Sequence, residues 1–446
     1  MSVDHETQLK QELEILEKIQ EMMMYILDCD EECVFHEINK LFTFIESISI
    51  STNFSIYEGF LRILMNLSLY FTLPQKYQKR QSVFYDILNQ LIVKHSLKTV
   101  FHPLTIYCIF QQNKHILLFL LENGIIDISL IKKEIYQHTN KNFLLFFLPE
   151  IEKSDSKFWK EQKKLFHISK EEIFKIYNNV TLQNSNDKIE KDQERNNKCE
   201  TFYEIRKENH SNEEIARIIR KDDLNSFLNF FVNNHDFDHG YTIKPSVFEN
   251  NPDMNRDTDG ISLLEYSMAF GSINIFRYLW LNHAKYSENS LKYSIIGGNY
   301  EIIHILEEES QYQFPEDCYW VSIKYDRNEI SEYLLTSILR EQSLFTQKFN
   351  FNDPSPNLKI VKEYLKKMIS NKIGTYNESD IFNTAINHKI IYSDQLYFSH
   401  DFYEHIPYFC FCFLIHQSSI DMNSYNDIFL LTHHYSLISF GIYECF

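Results

Sequence analysis

Three groups of side chains in this sequence have types and spacings that could do chemistry. The first opens at Asn255, where N-x-D-x-D-G reads like the start of a calcium loop. Such a loop needs glycine at position 6 and a bidentate glutamate at position 12 to close its oxygen cage. Gly260 falls at position 6, but position 12 is Tyr266, and Glu265 comes one residue early. The second group is Cys29 and Cys33, spaced i, i+4 so that they could face each other on a helix as a redox pair. The third is His405, Cys410, Cys412 and His416, four nominal zinc ligands around PYFCFCFLIH. Zinc knuckles place their ligands on polar turns, whereas cysteines among phenylalanines read as small buried apolar residues. The sequence contains no G-x-x-x-x-G-K-[ST], G-x-G-x-x-G, H-E-x-x-H or G-x-S-x-G. The expectation is therefore no catalytic residue, no cofactor, no bound metal and no small-molecule substrate.

The elements that would hold these residues are announced by a repeat. Leu264, Tyr266, Ser267, Gly271, Ile275 and Leu279 return 27 residues later as Leu291, Tyr293, Ser294, Gly298, Ile302 and Leu306. Ser322, Ile323, Ile330 and Leu334 repeat Ser294, Ile295, Ile302 and Leu306 at a shift of 28. Far upstream, NKHILLFLL from Asn113 and NKNFLLFFL from Asn140 lie 27 apart as well. A weaker copy, DDLNSFLNFFVNN, starts at Asp222, and degenerate ones start at Pro356, Asp380 and Asp427. A fixed period of this size marks stacked supersecondary units. Ile273, Ile275, Phe276, Tyr278 and Leu279 form the wide apolar stripe of an amphipathic helix. Gly271 and Gly298 fall between two such helices, where a left-handed turn suits glycine.

From Asp257 the string DTDGISLLEYSMAFGS resembles the ankyrin repeat, with Asp257, Gly260, Ser262, Leu264, Ser267 and Gly271 where that family has D, G, T, L, A and G. INIFRYLWLNHA, from Ile273 to Ala284, overlays the family's second helix, with His283 in place of a glycine. The chain looks like the divergent, Asn- and Ile-rich members of that family expanded in parasitic protists. Its 27–28-residue period falls short of 33 because the turn finger between units is missing after Ala284. The resemblance implies an all-α solenoid of helix–turn–helix repeats, with shortened or missing β-turn fingers, in two blocks. It also implies a protein–protein interaction scaffold without catalysis, since ankyrin arrays bind partners through fingers and inner helix faces. By position, Thr258, Asp259 and Ile261 at the finger tip, continued by Ala269 and Phe270 on the inner helix, are the expected partner contacts.

Composition bounds the rest. The 446 residues carry 44% hydrophobic and 15% aromatic side chains, enough for a folded core, and a net charge of −18 that repels nucleic acid and anionic membrane. Eight scattered cysteines and a charged opening segment, MSVDHETQLKQELEILEK, point to the cytoplasm, with a nuclear pool open. Five regions are expected: an N-terminal helical cap (1–100), a first repeat block (101–180), a polar linker or exposed loop (181–201), a main array (202–340) and degenerate repeats (341–446). In the first, Leu9, Leu13, Leu16, Met23 and Leu27 approximate a heptad seam interrupted by Gln20, read as a capping helix. Glu301, Glu307, Glu308 and Glu309 form an acidic patch suited to a basic partner. The competing class is an enzyme or metal-binding protein using His388, His400, His405, His416, His433 and His434 near the C-terminal end.

Overall fold

Helices, many of them short and packed on their sequence neighbours, dominate the computed structural model, which describes residues 2–71, 80–178, 206, 209–234, 238–255 and 260–338. Among the described residues the strands are Thr242–Ile243 (β1) and Ile261–Ser262 (β2), antiparallel with Thr242 opposite Ser262. The expected linker at 181–201 and the degenerate repeats from 341 onward lie outside the described residues. The chain divides into two compact units.

The first unit is discontinuous in sequence, combining residues 2–109 with a segment that begins at 315. It opens with α1 (Ser2–Asp28), α2 (Glu31–Ser47), α3 (Phe54–Asn66), α4 (Gln81–Lys94), α5 (Leu97–Val100) and α6 (Pro103–Phe110). Helix α1 packs on α2 and α3 and buries Leu16, Ile19, Met23 and Leu27. Gly59 lets α3 approach α1 closely, since a Cβ there would lie 2.7 Å from the Leu16 side chain. The interrupting residue of the seam, Gln20, is itself buried.

The second unit spans residues 110–314. Its first part holds α7 (Lys114–Glu122), α8 (Ile128–His138), α9 (Lys141–Phe146), α10 (Leu148–Ser154), α11 (Ser156–Leu165) and α12 (Lys170–Asn178). The asparagines opening the two NK motifs are N-caps: Asn113 Oδ1 accepts from Ile116 N and Asn140 Oδ1 from Phe143 N. The second part contains α13 (Glu214–Arg220), α14 (Leu224–Asn233), α15 (Leu263–Phe270), α16 (Ile273–Leu281), α17 (Lys292–Gly297) and α18 (Tyr300–Glu309). Helix α15 is flanked by α13 and α17, and α16 by α14 and α18, so three helix pairs stack. The first unit closes with a further pair, α19 (Asp317–Lys324) and α20 (Asn328–Tyr333).

Several buried positions recur between pairs. Leu264, Leu291, Ser267, Ser294, Ser322, Ile275, Ile302 and Ile330 are all buried. The three serines make the same bond, each hydroxyl donating to the carbonyl three residues before it at 2.6–2.7 Å. Small and internally satisfied, they leave room for the neighbouring helix. Gly271 and Gly298 turn the chain between helices with φ of 67° and 64°, the left-handed conformation their positions suggest. Asp222 and Asp326 occupy the same turn in α13–α14 and α19–α20, with φ of 52° and 54°.

Candidate interaction surface

Three of the five residues expected to touch a partner are buried. Thr258 and Asp259 lie outside the described residues. Ile261, Ala269 and Phe270 are each 0% exposed. Ile261 is paired in β2 opposite Ile243, and the other two sit on α15, the middle one of three stacked helices. A side chain with no accessible area cannot meet a partner without rearrangement, which corrects the positional assignment for these three.

The chain's own segment 246–255 is fastened instead to α7 and α17. Lys114 Nζ donates to the carbonyl of Glu249 at 2.9 Å, and His115 Nε2 lies 2.7 Å from the carbonyl of Phe248. The Glu249 carboxylate meets His210 Nδ1 at 3.0 Å and accepts from Asn251 N at 3.0 Å. Tyr293 Oη, on α17, donates to Asp253 O at 3.1 Å, and Lys292 Nζ stands 3.7 Å from Asp253 Oδ1. Burial pushes the Lys114 amine down to about 8, against the pull of Glu249. Burial also pushes the His115 imidazole down to about 3, so it is neutral at physiological pH. The charged and polar side chains here fasten a loop to the helices, which accounts for their burial.

The oxygens of the calcium-like string that can be described are committed to the fold. Asn255 Oδ1 accepts from Ser246 N at 2.8 Å, and its amide donates to Ser246 O and Glu249 O. Glu265 closes a capping box at the start of α15, its Oε2 accepting from Ser262 N and Ser262 Oγ, while Oε1 accepts from Ser290 Oγ at 2.8 Å. Cys33 is exposed and Cys29 partly so; burial, opposed by Arg80, pushes the Cys29 thiol up, away from the reactive thiolate. His405, Cys410, Cys412, His416 and the other C-terminal histidines lie outside the described residues. Among the described residues no group of three or more His, Cys, Asp or Glu is arranged to hold a metal ion.

Exposed apolar area appears on the second helices of the pairs. Val232 is 69% exposed at the end of α14, and Leu281 is 76% exposed at the end of α16. They are 49 residues apart, the same shift that carries Asp222 to Gly271 and Phe227 to Phe276, so they are equivalent positions. An aromatic contact links these helices, with Phe227 edge-on to Tyr278 at 5.8 Å, and Trp280 packs tilted against Tyr286 of the following loop at 5.0 Å. The acidic patch borders them. Glu301 pairs with Arg277, Glu309 accepts from Trp280 Nε1 at 2.7 Å, and Glu308 is exposed. Sequence reading missed this band because Val232 and Leu281 each look like the last apolar residue of a core stripe. The 49-residue shift, which includes the insertion before β2, is the signal that aligns them.

Comparison of the chain with family models, with curated proteins and with solved structures returned no match. No helix among the described residues is long and apolar enough to cross a membrane.

Proposed function

We propose that this chain is a non-enzymatic scaffold, an ankyrin-like array of helix pairs that binds another protein through the outward surface of its second helices. The observation that carries the reading is the recurrence of one helix pair with the same buried positions and left-handed turn, while exposed Val232 and Leu281 fall at equivalent places. Stacked units of this kind present an extended rigid surface to a protein partner. Segment 246–255 occupies part of α17, and the exposed apolar positions on the second helices favour that face. Neither a cofactor nor a small-molecule substrate enters this reading, and a net charge of −18 argues against nucleic acid and anionic membrane as partners. The proposed compartment is the cytoplasm.

The test compares capture of cell proteins by the wild-type chain and by the double variant Val232→Asp, Leu281→Asp. Both side chains are exposed, so the variant keeps its fold and its melting temperature. The expected result is loss of the stoichiometric partner, with affinity reduced at least tenfold. Full retention of every captured protein by the folded variant refutes the proposed face. Metal analysis of the purified chain tests the alternative: stoichiometric zinc or iron argues for a C-terminal metal site and against a scaffold alone.

A further inference from the structure

A left-handed turn strains a residue with a side chain relative to glycine, so the aspartates at two of the four helix-pair turns call for a reason. Asp222 has a local one. Its carboxylate caps α16, accepting from Asn274 N at 3.1 Å and Ile275 N at 3.0 Å. Asp326 is placed differently. It is buried, and it joins three elements of the first unit. Its Oδ1 accepts from Gln20 Nε2 of α1 at 2.8 Å, and its Oδ2 accepts from Asn66 Nδ2 at the end of α3 at 3.1 Å. These bonds span 306 and 260 residues of sequence.

Both donors are neutral amides. The guanidinium of Arg327 acts on the carboxylate but is also engaged with Phe71, lying 4.8 Å from its ring centroid. Lys324, on α19, holds its Nζ over Tyr70 at 4.8 Å, and on α3 the carboxylate of Glu58 is bonded to Arg62 at 2.7 Å. Burial raises the Asp326 carboxyl to about 7, with Arg327 and the Asn66 bond pulling the other way. Asn66 Oδ1 is buried without a hydrogen-bond partner. Turning that amide over would offer an acceptor to a protonated Asp326, so the pocket accommodates the acid as well as the carboxylate.

We propose that Asp326 is a proton-operated latch holding residues 315–338 against α1 and α3, tight when its carboxyl carries a proton and loosened when the proton leaves. Undocking brings the carboxyl into water, where it ionises at its ordinary value near 3.8, and the proton passes to solvent. Opening therefore releases one proton. Its equilibrium rises about tenfold per pH unit from weakly acid conditions to neutrality, then levels off once the docked carboxyl is itself ionised. This latch does not depend on which surface binds a partner.

Hydrogen exchange of the full chain, followed by mass spectrometry from pH 5 to 8.5 and corrected for the intrinsic pH dependence of exchange, reads it directly. Amides of Asp317–Tyr333 are expected to open about 100-fold more often at pH 7 than at pH 5, with little change between 7.5 and 8.5. Asp326→Asn, nearly isosteric and uncharged, is expected to be flat over the whole range. A pH-independent wild type, or an Asn variant with the wild-type slope, overturns the proposal. Gln20→Met gives a second reading should the Asn variant fail to fold. Removing a donor to the carboxylate moves the level-off to higher pH, and an unmoved level-off also overturns the latch.

Discussion

Replacing Gly297 by alanine tests how closely the helix pairs are stacked. Gly297 ends α17, and a Cβ built on it would lie 2.0 Å from the carbonyl oxygen of Met268 and 3.1 Å from Gly271 N, both at the end of α15. Carbon and oxygen rest at roughly 3.3 Å, so the two backbones must separate by about 1.3 Å, or the turn must shift. That turn includes the bond from Gly271 N to Met268 O at 3.1 Å. Overpacking of this kind costs about 1–3 kcal/mol, and a backbone obstacle belongs at the upper end. For a unit of this size, about 3 kcal/mol lowers the melting temperature by roughly 6–12 °C. Gly124 provides the control, with φ of 64° and no atom within 4 Å of an added Cβ. Alanine there meets strain without a clash, about 1 kcal/mol and roughly 2–4 °C. Thermal melts of the full chain followed by circular dichroism give both values. If Gly297→Ala melts no lower than Gly124→Ala, the close stacking of α15 and α17 is wrong.

The second unit is expected to weaken in acid through His115. Its folded value near 3 lies below the ordinary 6.5, so between these limits the unfolded chain binds a proton that the folded chain refuses. Stability is complete above about pH 6.5 and is lost as pH falls, by about 2 kcal/mol between pH 7 and pH 5. Denaturant melts at those two values should show His115→Gln less acid-sensitive by that amount, and equal sensitivity in both proteins would falsify the assignment. Calcium titrated into the chain in a calorimeter should bind no more tightly than about millimolar, because Asn255 and Glu265 already serve the fold. Stoichiometric micromolar binding abolished by Asp257→Asn would restore the metal loop.

Periodic features were legible in the sequence, and the features built once were not. The 27-residue shift located the left-handed turns at Gly271 and Gly298 and the buried serines, because each follows from the helix-pair geometry repeated around it. The NK motifs marked helix starts, since an asparagine before an apolar run satisfies an otherwise unpaired amide. Segment 246–255 gave no such sign. Its carbonyls are held by Lys114 and His115, which lie 135 and 133 residues away, and carbonyl capture leaves no pattern in the captured residues. Reading the Asp257 string as a finger placed Ile261, Ala269 and Phe270 outside, when the strand pair and the packing on α15 bury them. Gln20 looked like a defect in an apolar seam. It is the residue that reaches Asp326.

The order in which the first unit is written along the chain bears on its synthesis. Gln20 leaves the ribosome 306 residues before Asp326. At about 5–20 residues per second, α1 and α3 wait roughly 15–60 s for the segment that covers them. The whole second unit is translated within that interval, so it can be complete while the first still lacks a wall. A nascent chain stalled before residue 315 would therefore show the surface around Gln20 and Asn66 open to chaperones, and emergence of the segment that carries Asp326 would be the moment that closes it.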